Sequence, residues 1–388
     1  DGDFKLDSNG KKIPIEINIQ SGAQIKSSEG GRIMVFAPTI TNSGNVESPG
    51  GQVLMAAATD KVYLEEAGKN SDVRGLLVEV KTGGKVENLG NISAKRGNVT
   101  LMGFAVNQNG KISASTTSNV NGTIRLLARE EGEIAPLSAG GNLRSNRTTR
   151  LSAKDDDLGV SAIVNLGAGS HNEILPEKEF ITEESLLDSG KTVKKIVEKT
   201  AIDNQVQPIS KVEIFANKVH LQSGSKIIAP SGKLDITATE NPINPVRSNS
   251  NKNKSRILID PNVTIDLSGL DVTKDMESNV LEVELRNFEF KDAPLQKNGI
   301  LKGKTVFVDA REGTPLTDIE PSLDAIKRGI NERLVKGGEI NLKSEGDIIL
   351  SKGAILDFSG GTTTFKDGYI TTTKLLSNGR LYDISKAD

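Results

Sequence analysis

Apolar and polar residues alternate along this chain in short stretches, each closed by Gly, Asn, Ser or Pro. Gly31-Arg32-Ile33-Met34-Val35-Phe36-Ala37 is echoed 20 residues on by Gly51-Gln52-Val53-Leu54-Met55-Ala56-Ala57. Gly90-Asn91-Ile92-Ser93-Ala94 is echoed, again 20 residues on, by Gly110-Lys111-Ile112-Ser113-Ala114. Gly97-Asn98-Val99-Thr100-Leu101-Met102 returns after 25 residues as Gly122-Thr123-Ile124-Arg125-Leu126-Leu127. A period of two predicts strands, because successive side chains of a strand point to opposite faces. A fixed spacing of such units predicts a solenoid whose coils each pack on their neighbours. Gly and Asn suit its corners, where the backbone turns sharply. One row of Ile, Val and Leu then faces inward, and the alternate side chains are expected to face water.

The pattern resumes in the second half. Ser223-Gly224-Ser225-Lys226-Ile227-Ile228-Ala229 leads into Gly232-Lys233-Leu234-Asp235-Ile236-Thr237-Ala238, and later copies include Gly338-Glu339-Ile340-Asn341-Leu342 and Gly353-Ala354-Ile355-Leu356-Asp357-Phe358-Ser359-Gly360. The fold class expected is therefore all-β, a parallel β-helix. Coils are expected over residues 1–144 and 211–388, and an extra-helical insertion over 145–210 with one or two short helices or an edge hairpin. Residues 241–256, rich in Pro and then in Asn, Ser and Lys, are expected to form an exposed loop. Leu323, Ile326, Ile330 and Leu334 fall on one helical face, Pro321 suits a first turn and Gly337-Gly338 a stop, so a helix is expected over 321–335.

Composition fits a thin core with many turns. Aromatic residues are 3% of the chain, Trp is absent, and Gly accounts for 39 of 388 residues. There is no Cys, which removes disulfides and thiolate metal sites. With 49 basic and 51 acidic residues the net charge is −2, giving no argument for nucleic acid as a partner. No apolar run approaches a membrane span, so no integral membrane segment is expected. The polar start, Asp1 to Lys12, suggests a mature or excised fragment.

Candidate chemistry is sparse. His171 and His220 are the only histidines. His220 reads as an outward residue of a strand and His171 as a surface loop residue. Asp155-Asp156-Asp157 lacks the array of a calcium loop and reads as solvated. Asp266-Leu267-Ser268-Gly269 and Asp357-Phe358-Ser359-Gly360 share one motif. Paired carboxylates could serve as general acid and base. Occupying equivalent places at the ends of coils, these two are better explained by hydrogen bonds to the turn backbone. No phosphate loop is present. No catalytic residue, metal site or cofactor is expected, and the chain reads as a non-enzyme. Arg247, Lys252, Lys254 and Arg256 cluster in the 241–256 loop and are the candidate partner-binding residues.

The coils running from Gly30-Gly31-Arg32-Ile33 through Gly50-Gly51-Gln52-Val53-Leu54-Met55-Ala56-Ala57, with Lys61-Val62-Tyr63-Leu64, resemble filamentous-haemagglutinin-type exoproteins of two-partner secretion. Asn279-Val280-Leu281-Glu282-Val283-Glu284-Leu285-Arg286, Asp292-Ala293-Pro294-Leu295-Gln296, Val306-Phe307-Val308-Asp309 and Asp367-Gly368-Tyr369-Ile370-Thr371 resemble segments of a subset of very large members. The resemblance implies a right-handed β-helix, export across the outer membrane of a Gram-negative bacterium through a dedicated transporter, and a place on the cell surface or outside it. It also implies adhesion to a host or bacterial receptor or a matrix glycan, in biofilm or virulence, or service as the stalk of a contact-dependent growth inhibition protein. The family's secretion domain with its Asn-Pro-Asn motifs is not visible, so an internal or C-terminal portion of a larger exoprotein is expected. A carbohydrate-active β-helix enzyme is the third reading. It would need clustered aromatic platforms that this composition makes scarce.

Overall fold

The computed structural model describes residues 8–10, 15–68, 71, 73–80, 83–128, 131–134, 147–150, 162–186, 192–202, 204–239, 254–286 and 298–387. Two compact units divide the chain: Asp1–Glu177, Pro208–Gly269 and Lys336–Gly360 form the first, and Lys178–Gln207, Leu270–Val335 and Gly361–Asp388 the second.

The first unit is a parallel β-helix. Its chain passes in turn through three sheets of eight, eight and seven strands, and strands of successive coils pair in parallel. The sequence echoes are the register. Arg32 pairs with Gln52, Asn91 with Lys111 and Asn98 with Thr123. Inward rows stack one residue type on its like: Ile40, Val86, Val106, Val164, Val219 and Ile257 in the first sheet. Met55, Leu101, Leu126, Ile214 and Ile236 do the same in the third. All of these are buried, each contributing roughly 1.5–3 kcal/mol. β-Branched side chains dominate the rows because they pack well on a pleated surface.

One inward column is polar. Asn42, Asn88 and Gln108 occupy the same register position on three successive coils and are fully buried. Asn42 Nδ2 donates to Asn88 Oδ1 (2.8 Å), and Asn88 Nδ2 donates to Gln108 Oε1 (2.7 Å). Gln108 Nε2 donates to the Gly110 carbonyl (2.9 Å), and Gly44 N–H donates to Asn42 Oδ1 (3.1 Å). The column continues upward as Leu166 and Leu221. The ladder thus satisfies buried amides by stacking them, as burial requires.

Outward side chains do not all face water as expected. The strands Gln52–Ala57, Asn98–Gly103 and Thr123–Ala128 are buried on both faces. An antiparallel hairpin, Val62–Glu66 with Leu76–Val80, covers them. Val78 and Val80 pack on Leu54, Ala56, Met102 and Leu127. This double burial explains why Val53 to Ala57 is a continuous apolar run rather than an alternating one. Side chains of the coils hold the cover by its backbone. Gln52 Nε2 donates to the Leu76 carbonyl (2.7 Å) while Gln52 Oε1 accepts from Leu76 N–H (2.9 Å). Conversely, the Arg74 guanidinium donates to the carbonyls of Arg96 (2.5 Å) and Asn121 (2.7 Å).

The expected insertion over 145–210 is corrected. Ile163–Leu166 and His171–Pro176 are full members of the first and second sheets, pairing with coils on either side. The repeat is masked at His171–Pro176 because Asn172 takes an inward position between Ile112 and Ile227, where the repeat calls for an aliphatic residue. What departs from the coils begins at Lys178 and includes an antiparallel hairpin, Phe180–Leu186 with Thr192–Glu198.

The second unit has its own core of Leu281, Val283, Leu285, Val306, Val308, Leu316, Ile384 and Ala387. It is built on antiparallel pairs, Val280–Glu284 with Thr305–Asp309 and Lys374–Ser377 with Arg380–Asp383. The helix expected over 321–335 is corrected to two short ones, Glu320–Asp324 and Ile330–Arg333. Between them Lys327–Arg328 pairs with Ala201–Ile202, and Gly329 is extended (φ −74°, ψ 169°). The helical spacing of Leu323, Ile326, Ile330 and Leu334 is real, but Gly costs helix stability and the strand pairing wins the intervening residues. Arg333 secures the second helix by donating to Gln207 Oε1 (2.7 Å) and the Ile202 carbonyl (2.9 Å). No helix among the described residues is long and apolar enough to cross a membrane.

Candidate functional site

Of the four candidate cations, Arg247 and Lys252 lie outside the described residues. Lys254 is exposed and precedes the strand Arg256–Ile259. Arg256 is not a loop residue: it opens that strand, and its Nη2 pairs with Asp347 Oδ2 on the next coil (2.9 Å). Its charge serves an exposed inter-coil bridge, so the structure does not present Arg256 as part of an unpaired cationic patch.

Asp266 and Asp357 occupy the same register position on adjacent coils. Each uses one oxygen on its own turn. Asp266 Oδ1 accepts from Ser268 N–H (3.0 Å) and Oγ (2.7 Å), and Asp357 Oδ1 accepts from Ser359 N–H (3.0 Å) and Oγ (2.7 Å). These bonds hold the Asp357 carboxyl below its ordinary range, chiefly through the Ser359 backbone N–H. A general acid needs the opposite shift. The shared motif is therefore read as a turn device repeated by the coil.

His220 is partly exposed on the strand Lys218–Leu221, as expected, and its Nε2 lies 2.9 Å from Asp260 Oδ2. His171 is corrected from a loop residue to the first residue of the strand His171–Pro176, with Nε2 2.7 Å from Glu173 Oε2. His171 sits in an outward charged row between Lys111 and Lys226, whereas His220 sits between Asn165 and Leu258. Two charged rows run over the third sheet, Arg125, Glu213 and Asp235 in one and Lys211, Lys233 and Glu339 in the other, with Arg125 paired to Glu213 (2.6 Å), Lys211 to Asp235 (3.3 Å) and Lys233 to Glu339 (2.9 Å). Among the described residues no group of three or more His, Asp or Glu is placed to hold a metal ion. Asp155-Asp156-Asp157 lies outside them.

The second unit carries the least regular polar chemistry. Asp309 is buried, and its carboxylate accepts from Arg311 Nε (3.0 Å), Nη2 (2.7 Å) and backbone N–H (3.0 Å). Arg311 pulls that carboxyl below its usual range. Asp383 accepts from Lys374 Nζ, from Ser385 N–H and Oγ (both 3.0 Å) and from Thr372 Oγ1 (3.0 Å). Lys374 is the largest cause of a strong downward shift at Asp383. Both carboxyls bind protons less readily folded than unfolded. The stability they add is full above the ordinary carboxylate range and is lost as pH falls below about 4. Acid should therefore lower the unfolding midpoint of this unit, and Asp383→Asn should lower it at neutral pH while flattening the acid limb. Denaturant titrations of both proteins between neutral pH and pH 2 check this.

No protein family, no curated protein and no solved structure matches the chain. Two of the segments that carry the family resemblance pair with each other. Val280–Glu284 and Thr305–Asp309 form one antiparallel pair of the second unit, whereas Asp292-Ala293-Pro294-Leu295-Gln296 lies outside the described residues.

Proposed function

We propose that the chain is a structural and adhesive segment of a large secreted bacterial surface exoprotein of the filamentous-haemagglutinin type, exported by a dedicated outer-membrane transporter. The observation carrying this reading is the parallel β-helix with non-repeating elements added to it. Coils that pack only on their neighbours multiply surface rather than enclose a reaction site. Departures from the repeat, such as the hairpin Phe180–Leu186 with Thr192–Glu198, leave Phe180 and Ile196 exposed and available for contact. The role assigned is attachment to cells or matrix and not catalysis, in keeping with Asp266 and Asp357 being spent on their turns.

The test is retention of the purified chain on immobilised bacterial cells, host cells and matrix glycans. Saturable retention on one of these, weakened by Phe180→Ser with Ile196→Ser, is the expected result. No retention on any surface would sink the adhesive role and leave the scaffold as a stalk for a toxin carried elsewhere.

A further inference from the structure

Within the second unit a cavity of about 620 Å³ opens beside the antiparallel pair Lys374–Ser377 and Arg380–Asp383. Its floor is aliphatic: Leu316 is buried, and Leu301 and Leu375 pack on the unit's core. Its rim is apolar although it faces solvent, with Ile300 86% and Leu376 71% exposed. Lys304, Lys374 and Lys386 line the same space, and among the described residues no acidic one does. Lys374 is neutralised by Asp383. Lys304 and Lys386 are exposed and make no ion pair among the described residues. The segment bearing Lys386 is fixed in place: Asp383 Oδ1 caps Ser385, and Thr314 Oγ1 donates to the Ile384 carbonyl (2.7 Å).

These features select a ligand class. A concave aliphatic wall favours an apolar body, whose burial releases water from the exposed Ile and Leu surface. Two unpaired ammonium groups at the wall favour an anion over a neutral or cationic head. Lysines act as point charges, which suits a single carboxylate without the planar fork an Arg pair would offer. Among the described residues Tyr382 is the one aromatic residue lining the cavity, so a sugar ring finds little to stack on there. We propose that this cavity binds a single-chain fatty-acid anion, its alkyl chain against Leu301, Leu316, Leu375 and Leu376 and its carboxylate at Lys304 and Lys386. This goes beyond attachment and stands or falls independently of it.

Titration calorimetry of the whole chain with sodium decanoate below its micellar concentration tests the site. Decyltrimethylammonium bromide, with the same chain length and the opposite charge, is the comparison. The expected result is one decanoate per chain, weakened at least about tenfold by Lys304→Glu with Lys386→Glu, and no saturable binding of the ammonium compound. Absence of saturable decanoate binding, equal binding by the double variant, or equal binding of the ammonium compound would each overturn the proposal. Both lysines are exposed, so the double variant is expected to melt like the parent. Should it melt lower, the comparison of the two probes on the parent protein decides alone.

Discussion

Asn88→Ala should destabilise the β-helix by roughly 3–5 kcal/mol, measured as the change in denaturant midpoint. Asn88 is the middle rung of the amide ladder, accepting from Asn42 and donating to Gln108. Removing it strips Asn42 Nδ2 and Gln108 Oε1 of those partners at positions closed to water. Each orphaned group costs about 1–3 kcal/mol, and the lost volume adds a cavity term. The comparison that isolates the cause is Asn172→Val. Asn172 is equally buried in an inward column, but it stands alone between Ile112 and Ile227. Its Oδ1 has no hydrogen-bond partner, and its Nδ2 makes one long bond to the Lys226 carbonyl (3.3 Å). Valine there removes an unsatisfied acceptor and completes an aliphatic column. The change should be neutral or stabilising by about 1 kcal/mol. Opposite signs for two buried asparagines in the same solenoid follow from their partners alone. Equal destabilisation would mean that volume, and not hydrogen bonding, governs both sites.

Gly51→Ala should be comparably damaging for a different reason. A Cβ at Gly51 would fall within the van der Waals radius of the Gly31 carbonyl oxygen on the preceding coil. A Cβ at Gly97 would strike Gly51 in the same way. The Gly51 backbone sits between ladder bonds, Gln52 N–H to the Gly31 carbonyl (3.1 Å) and Asn98 N–H to the Gly51 carbonyl (3.0 Å). Neither rigid backbone can yield as a side chain would, so the coils must separate. The cost should exceed the roughly 1–3 kcal/mol typical of overpacking and appear as loss of soluble, cooperatively unfolding protein. Gly22 provides the contrast. Its φ is +84°, but nothing lies within 4 Å of a Cβ there. Gly22→Asn, which tolerates the left-handed region, should cost no more than about 1 kcal/mol. The repeat therefore keeps Gly for two distinct needs, a left-handed corner and a close approach between coils.

The coil itself was legible because its strand spacing is a local property. Twenty residues separate Gly31 from Gly51 in sequence, and one coil separates them in space. The hairpin over the third sheet was also legible in principle. Alternation breaks down at Val53-Leu54-Met55-Ala56-Ala57, where both faces need cover, although the run does not say what supplies it. The coil holding His171 was hidden by one polar substitution in an inward row, since pattern reading weighs Asn172 as a turn residue. The helix over 321–335 failed at Lys327–Arg328, whose partner lies more than a hundred residues earlier at Ala201–Ile202. The fatty-acid cavity left no signature for the same reason: Ile300 and Lys386 are brought together only by folding of the second unit. The cationic cluster was visible as composition, but composition does not reveal that Arg256 would be paired to Asp347.

The most demanding feature of the β-helix is its continuity across the longest excursion of the chain. Lys233 lies beside Glu339, 106 residues away, as the strands Lys233–Ala238 and Glu339–Ser344 pair in parallel. The chain has no Cys, so engineered pairs report without interference. Strand neighbours stand about 4.8 Å apart, within reach of a disulfide, whereas a two-residue slip places the Cα atoms beyond about 7 Å. Mild oxidation of Lys233→Cys with Glu339→Cys should give a near-quantitative intramolecular cross-link, and Lys233→Cys with Asn341→Cys should give little. Equal cross-linking of the two pairs, or failure of the first in folded protein, would contradict the stacked coils.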